Sequence, residues 1–273
     1  MNTAFMLENE QEFLETKKHS FVDEIIDQEQ QKPARGIYIL PNLFTTASLF
    51  AGFYAIIAAM HGLFDIAAIT IFIAMVFDSL DGRIARLTQT QSLFGAEYDS
   101  LSDMVAFGIA PAITLYEWSL QYLGKIGWLG AFILVAAVAL RLARFNSQQQ
   151  NSDKRYFKGL PCPSGAAILA GLVWVFSNAR MGDLIPSILV ELLTLAVAVA
   201  MISNMKYRSF KDFDIKNRVP FVTILFVILF FVCVALKPDI VLFLSFTGYG
   251  ISGFWTTLQS QFKKTQEDNV GSS

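Results

Sequence analysis

The chain has 273 residues, of which 54% are hydrophobic and only 16% are charged. Soluble domains carry about a quarter charged residues, so this composition excludes an ordinary soluble domain and indicates one membrane-embedded bundle. The formal net charge of −2 gives no support for a nucleic-acid partner.

The amino-terminal segment, residues 1–35, is polar and rich in acidic side chains, so we expect a tail there and no membrane span. Two alternatives remain open for it: a partly disordered segment, or a short surface helix that ends before Pro33. We expect no cleavable signal peptide, because the segment lacks an apolar core.

The first apolar segment runs from Pro41 to about Met60, and Pro41 suits the first turn of a helix. Asn42 and Thr45 lie on one face of that turn. Two interpretations remain open for them. They cap the helix and bond back to its own carbonyl groups, or they face a polar site formed with later segments.

Four acidic residues follow, near the end of the second apolar segment and the start of the third. Asp78 and Asp81 are three residues apart and Asp99 and Asp103 are four apart, so each pair would share one face of a helix. A turn near residues 88–93 would bring the pairs together. Clustered carboxylates repel unless a cation lies among them, and a hard divalent cation is the natural partner.

The whole chain predicts an all-α, polytopic membrane bundle of about eight transmembrane helices, each near the ~20 residues that cross a bilayer. The predicted spans cover about 41–60, 64–84, a third that ends near 122, 127–145, 163–179, 184–203, 219–236 and 239–258. The transmembrane domain is therefore expected over residues 36–260, followed by a second polar tail over 261–273.

Eight spans place both termini on one side of the membrane, and the basic residues identify that side. Most Lys and Arg residues fall in connections on the side of the termini, whereas the opposite side carries little beyond Lys125, Arg180 and Lys237. By the positive-inside rule, we expect both termini and the four acids to face the cytoplasm.

The acids belong to a longer pattern, Asp78-x2-Asp81-Gly82-x2-Ala85-Arg86-x8-Gly95-x3-Asp99-x3-Asp103. This pattern resembles the complete signature of the CDP-alcohol phosphotransferase family of membrane enzymes. The resemblance implies that Asp78, Asp81, Asp99 and Asp103 bind divalent metal, Mg²⁺ or Mn²⁺, with two ions in each active site. It also implies that Asp103 is the catalytic residue that accepts the proton of the incoming hydroxyl.

The resemblance further implies a binding site for the CDP group. Arg86 would meet a phosphate, which arginine binds in a bidentate manner, and Gly82 and Ala85 would leave room for cytidine and ribose. The residues expected at this site are Asn42, Thr45, Gly82, Ala85, Arg86 and Gly95.

Two strings beyond the signature concern the acceptor: LRLARFN, which ends at Asn146, and FKGLPCPSGAA at 157–167. They resemble the members of the family that use L-serine, and eight spans suit this subgroup better than the family core of six. The resemblance therefore implies transfer of a phosphatidyl group from CDP-diacylglycerol to L-serine. Arg141 or Arg144 would bind the serine carboxylate or a phosphate; alternatively, both only anchor the helix end.

Other functions remain open from the residues alone. The same chemistry with glycerol 3-phosphate, inositol or choline is one alternative, and Lys154, Arg155 and Lys158 would suit a phosphorylated acceptor. A distant alternative is an ion or metal transporter, which would need acids along a path through both leaflets. The family resemblance also implies a homodimer, and we expect it in the bacterial cytoplasmic (inner) membrane with its active site facing the cytoplasm.

Overall fold

The computed structural model of the chain describes residues 39–90, 92–148, 156–178, 184–208 and 221–253. The tails expected at 1–35 and 261–273 lie outside these residues, as do Lys154 and Arg155. The domain boundaries at residues 36 and 260 therefore stay predictions.

The described residues are largely helical, which confirms the helical character of the bundle. The helices are α1 Ile39–Met60, α2 Phe64–Leu87, α3 Leu93–Asp103, α4 Ala110–Trp118, α5 Lys125–Gln148, α6 Cys162–Phe176, α7 Leu184–Ile202, α8 Phe221–Leu236 and α9, which covers 238–253. A π-helical turn, Met104–Ile109, joins α3 to α4, and a 3-10 turn, Leu120–Leu123, leads into α5. Within the described residues, helices occupy the apolar segments for which spans are predicted.

Three helical segments within the described residues are long and apolar enough to cross a membrane: Ile39–Met60, Lys125–Ser147 and Ile185–Ile202. Cys162–Phe176 and Thr223–Leu236 are apolar but shorter. The helix α2 has the length of a span but ends in the charged residues of the acidic pattern. The total of eight spans and the side on which the termini lie stay predictions.

Small side chains allow α1 to approach both acid-bearing helices closely. Gly52 lies so near the π-helical turn that a Cβ atom there would come within 2.6 Å of the Cα of Ala106. Ser48 donates a hydrogen bond of 3.0 Å to the carbonyl oxygen of Ala74 on α2, and Ser102 on α3 donates one of 3.0 Å to Thr45 O. The first helix thereby fixes the distance between the two pairs of acids.

A short antiparallel ribbon is the one departure from the all-α prediction within the described residues. Its strands are β1 Tyr156–Lys158 and β2 Lys206–Arg208, and Phe157 is opposite Tyr207 in the register. The ribbon joins the connection before α6 to the connection after α7. It forms because these two connections emerge on the same side of the bundle, where the unpaired backbone groups of each can satisfy the other.

Candidate active site

Three of the four acidic side chains meet where α2 and α3 come together. Asp78, Asp99 and Asp103 each offer a carboxylate oxygen within 4.8 Å of the others. Asp78 is also close enough to Asp103 for a hydrogen bond between the two carboxyl groups. Such neighbours repel when ionised, and burial adds to the cost, so the cluster is stable only with protons or a cation among its oxygens.

The cluster fits a divalent cation. Asp103 Oδ1 is buried and has no hydrogen-bond partner in the part of the chain that the structure describes. A buried oxygen of this kind is costly unless something satisfies it, and Mg²⁺ or Mn²⁺ binds to sets of oxygen ligands such as these three carboxylates. The residues thus support a metal centre at this point.

Asp81 lies beside this cluster and has a different partner. Its side chain is 4% exposed and accepts a hydrogen bond of 2.8 Å from Thr45 Oγ1. The same hydroxyl lies 3.2 Å from the carbonyl oxygen of Pro41, so Thr45 both bonds back to its own helix and contacts the site. The back-bonding interpretation of Thr45 is thus compatible with a position facing the acids, and a role for Thr45 in holding a nucleotide stays a prediction.

A cleft of about 490 Å³ opens between the start of α1, the end of α2 and the start of α3. It is lined by all six residues that the sequence assigns to CDP, namely Asn42, Thr45, Gly82, Ala85, Arg86 and Gly95, and by Asp81 and Asp99. Pro41, Thr90 and Ser92 also line the cleft, although the sequence pattern assigns them no role in it. The position of Thr90 and Ser92 in the polar turn between the two acid pairs was the available signal.

The two glycines of the cleft have different surroundings. A Cβ atom on Gly82 would meet nothing within 4 Å, so no close contact between helices requires a glycine here and the space beside it is open. A Cβ atom on Gly95 would lie 3.1 Å from Ser92 Oγ and 3.6 Å from Asn42 Oδ1. Ser92 accepts a hydrogen bond of 3.0 Å from the Gly95 amide and caps the start of α3. Gly95 thus allows this cap to form close to the cleft.

Arg141 contacts the first residue of α6, and part of its guanidinium group has no partner among the described residues. Its Nη1 donates a hydrogen bond of 3.2 Å to Sγ of Cys162, the first residue of α6. Cys162 is within electrostatic range of Asp103 and Asp78. Arg141 Nε is buried and has no hydrogen-bond partner among the described residues. The edge of the guanidinium that carries Nε therefore remains to receive a ligand.

Arg144 has a different environment from Arg141, although both lie on α5. Its Nη1 donates a hydrogen bond of 3.2 Å to the carbonyl oxygen of Ile202, and its Nη2 donates to Asn204 Oδ1. These contacts hold the connection that follows α7. Arg144 is thus bonded to the end of α7 and the residue Asn204 beyond it, whereas Arg141 is bonded to Cys162; anchoring at the cytoplasmic surface stays a prediction for both.

The segment before α6 is held against the end of α7. The Gly159 amide donates to Met205 O at 2.9 Å, and the Leu160 amide donates to Ala200 O at 3.0 Å. Gly159 has a positive φ of 80°, and a Cβ atom there would come within 2.3 Å of Met201 O, so only glycine fits. Residues 156–161, called the strap below, thereby fix the position of Cys162 beside Arg141.

Comparisons with known proteins point to one family. The family model described as CDP-alcohol phosphatidyltransferase matches residues 38–204. Three similar proteins share the name CDP-diacylglycerol–serine O-phosphatidyltransferase. The one in Helicobacter pylori strain 26695 is 36% identical over 205 residues, which are 73% of this chain and 84% of that protein. The one in Methanocaldococcus jannaschii is 34% identical over 65% of this chain and 78% of that protein. The one in Saccharomyces cerevisiae is 33% identical over 54% of this chain and 58% of that protein.

Proposed function

The chain belongs to the CDP-alcohol phosphatidyltransferase family, and on this premise we propose that it transfers the phosphatidyl group of CDP-diacylglycerol to L-serine and releases CMP. The names of its relatives support serine as the acceptor. The proposal is supported most directly by the contact between the cleft and the acid cluster. Asp99 lines the cleft and is also one of the three clustered acids. A nucleotide in the cleft therefore has its phosphates beside the metal ligands.

The metal ligands in this proposal are the four acids of the signature. Asp78, Asp99 and Asp103 would hold one Mg²⁺ or Mn²⁺ ion, and Asp81, one helical turn after Asp78, would contribute to a second. When bound, the cations neutralise charge on the pyrophosphate and on the CMP oxygen as it leaves.

The nucleotide binds in the cleft through residues of three helices. Arg86 forms charged hydrogen bonds with a phosphate, while Gly82 and Ala85 leave space for the cytidine and ribose. Asn42 and Gly95 also line the cleft, and Thr45 holds the Asp81 carboxylate in place. These assignments follow the resemblance, and the shared cleft supports them.

The acceptor serine binds on the side of Arg141. Its carboxylate pairs with the guanidinium edge that carries Nε, since Nη1 is already bonded to Cys162. The serine hydroxyl oxygen forms a bond to the β-phosphorus, the bond between that phosphorus and the CMP oxygen breaks, and CMP leaves with the electron pair. Asp103 takes the hydroxyl proton. Arg144 holds the connection after α7, so Arg141 is the better supported of the two arginines for serine.

The protein is an integral membrane enzyme. We further propose eight spans, cytoplasmic termini and an active site open to the cytoplasm at the bacterial inner membrane, which the distribution of Lys and Arg along the chain supports. A homodimer is proposed from the family resemblance.

The test is CMP release by the purified protein from CDP-diacylglycerol with Mg²⁺ or Mn²⁺, with serine, inositol, glycerol 3-phosphate and choline offered separately. Release that depends on serine supports the proposal. Release with another acceptor only would keep the metal site and the cleft but discard serine. No release with any of the four would contradict the proposed reaction.

A further inference from the structure

The last described helix, α9, packs on the core of the bundle although it lies outside the part of the chain that matches the family model, residues 38–204. A Cβ atom on Gly171 of α6 would come within 3.1 Å of the Cα of Phe243, and one on Gly250 within 3.1 Å of Ile168 Cδ1. These close approaches hold α9 in a fixed position against α6.

A tyrosine of the ribbon fits against the end of this helix. Tyr207 of β2 is 1% exposed, although β2 belongs to a connection between helices. Its hydroxyl donates a hydrogen bond of 3.3 Å to the carbonyl oxygen of Gly250. A Cβ atom on Gly253 would overlap the ring of Tyr207, so the ring occupies space that only glycine leaves open. The helix α9 thereby fixes Tyr207.

The ribbon connects Tyr207 to the strap. Tyr207 lies opposite Phe157 in the register, and β1, which contains Phe157, is the first half of the strap. Amide groups in the second half bond to α7 and to the connection after it. Cys162 follows the strap directly, and its Sγ accepts the hydrogen bond of 3.2 Å from Arg141 Nη1. A continuous series of contacts thus joins α9 to the arginine that is proposed to bind serine.

The nucleotide side of the site is built separately from these contacts. Among the described residues, the cleft and the acid cluster are formed within residues 41–103. The strap, the ribbon and α9 all lie later in the chain. A displacement of Tyr207 should therefore affect the acceptor side and leave the cleft intact.

We propose that Tyr207 is a positioning residue for the acceptor: held against Gly253, it sets the place of the strap and, through Cys162, of the Arg141 guanidinium. The helix α9 then contributes to serine binding without contacting serine. The inference rests on the proposed function and extends the acceptor side beyond the matched region. Its physical basis is that a charged hydrogen bond depends on distance and angle, so a displaced guanidinium binds a carboxylate less well.

The test is Gly253→Ala in the full-length chain, with Gly248→Ala as the matched control. Both changes add one methyl group to α9 and replace glycine with a better helix former. At Gly253 the methyl group displaces the ring of Tyr207, whereas at Gly248 it meets nothing within 4 Å. We expect the serine KM of Gly253→Ala to rise at least about 5-fold, comparable to the loss of one hydrogen bond. Equal serine KM values in the two variants would overturn the proposal.

The KM for CDP-diacylglycerol separates positioning of the acceptor from general loosening of the fold. We expect it to change less than about twofold in Gly253→Ala, because the cleft shares no residue with the contacts of Tyr207. An equal rise in both KM values would mean general loosening and would contradict the proposal. Because KM does not depend on the amount of folded enzyme, partial loss of protein does not hide the effect.

A double variant tests whether the effect passes through Arg141. In Arg141→Ala the group that Tyr207 positions is gone, so adding Gly253→Ala should change the serine KM by less than about twofold. A further rise as large as in the wild-type background would overturn the proposal. If Gly253→Ala is not recovered, Tyr207→Phe, which removes only the hydroxyl bonded to Gly250, must raise the serine KM more than the KM for the lipid. Wild-type protein without serine-dependent CMP release would instead refute the proposed function.

Discussion

Thr45 on α1 donates a hydrogen bond of 2.8 Å to Asp81 on α2, so the first helix holds one of the four acids in place. The other three acids meet on the adjacent side of α2 and α3. Thr45 therefore contacts the candidate active site as well as the backbone of its own helix.

Thr45→Ala is expected to weaken binding of CDP-diacylglycerol. The change removes a hydrogen bond to a buried carboxylate, and bonds of that kind contribute about 1.5 to 3 kcal/mol, so the KM for the lipid should rise about 10-fold or more. Thr45→Ser keeps the hydroxyl and should stay near the wild type. Equal KM values for the Ala and Ser variants would show that the bond has no role in binding.

Asp103→Asn should abolish turnover while binding of CDP-diacylglycerol remains measurable. The amide cannot accept the hydroxyl proton, and loss of a general base costs about 100- to 10,000-fold in kcat. The comparison is Glu97→Gln, which neutralises an exposed acid on the same helix. Steady-state kinetics measure the loss of turnover, and a binding assay with labelled CDP-diacylglycerol measures the binding that remains. Normal turnover of Asp103→Asn would remove this residue from the mechanism.

Arg141→Ala should raise the KM for serine and leave the KM for CDP-diacylglycerol unchanged. A lost hydrogen bond between charged groups is worth about 1.5 to 3 kcal/mol, which corresponds to roughly 10- to 150-fold in KM. Arg83→Ala is the control, since Arg83 is exposed on α2. Arg144→Ala should lower thermal stability through the connection after α7 and have the smaller effect on serine. A larger rise in the serine KM for Arg144→Ala than for Arg141→Ala would assign the serine carboxylate to Arg144 instead.

Gly82→Ala should stabilise the fold and impair the enzyme. Alanine favours a helix over glycine by about 1 kcal/mol, and the added methyl group meets no protein atom within 4 Å. The same methyl group occupies space in the cleft, so the KM for CDP-diacylglycerol should increase. Thermal unfolding and steady-state kinetics on one preparation test the predicted gain in stability and the predicted increase in KM. A variant with an unchanged KM would show that the nucleotide does not approach α2 at this residue.

Chelation should stop the reaction, and added Mg²⁺ or Mn²⁺ should restore it. An ion bound to Asp78, Asp99 and Asp103 also relieves the repulsion among them, so saturating metal should raise the unfolding temperature. Asp99→Asn should reduce that increase. Full activity in excess chelator would count against an exchangeable metal.

Much of the architecture was predictable because its signals are local. Apolar segments near the length of a span gave the helix positions, and the spacing from Asp78 to Asp103 gave the helix, turn, helix arrangement. The ribbon was not predictable, since Tyr156–Lys158 and Lys206–Arg208 are three-residue strands almost 50 positions apart in the chain. Pairing at that distance depends on how the start of α6 and the end of α7 lie next to each other in the folded bundle, and no local sequence pattern indicates that.

Two details of the site depended on side-chain direction rather than on spacing. Arg141 and Arg144 are three residues apart and look equivalent in the sequence, yet one bonds to Cys162 and the other to the connection after α7. Asp81 shares a helix face with Asp78, but the hydroxyl of Thr45 gives it a separate partner.

The pairing of the strap with the end of α7 also sets the order in which the site can mature during translation. The cleft and the four acids are complete once residues 41–103 have been made and inserted. The strap cannot be fixed until its partners at 200–208 have left the ribosome. A nascent chain therefore contains every residue of the cleft and the acid cluster about a hundred residues before the strap can take its place beside α7.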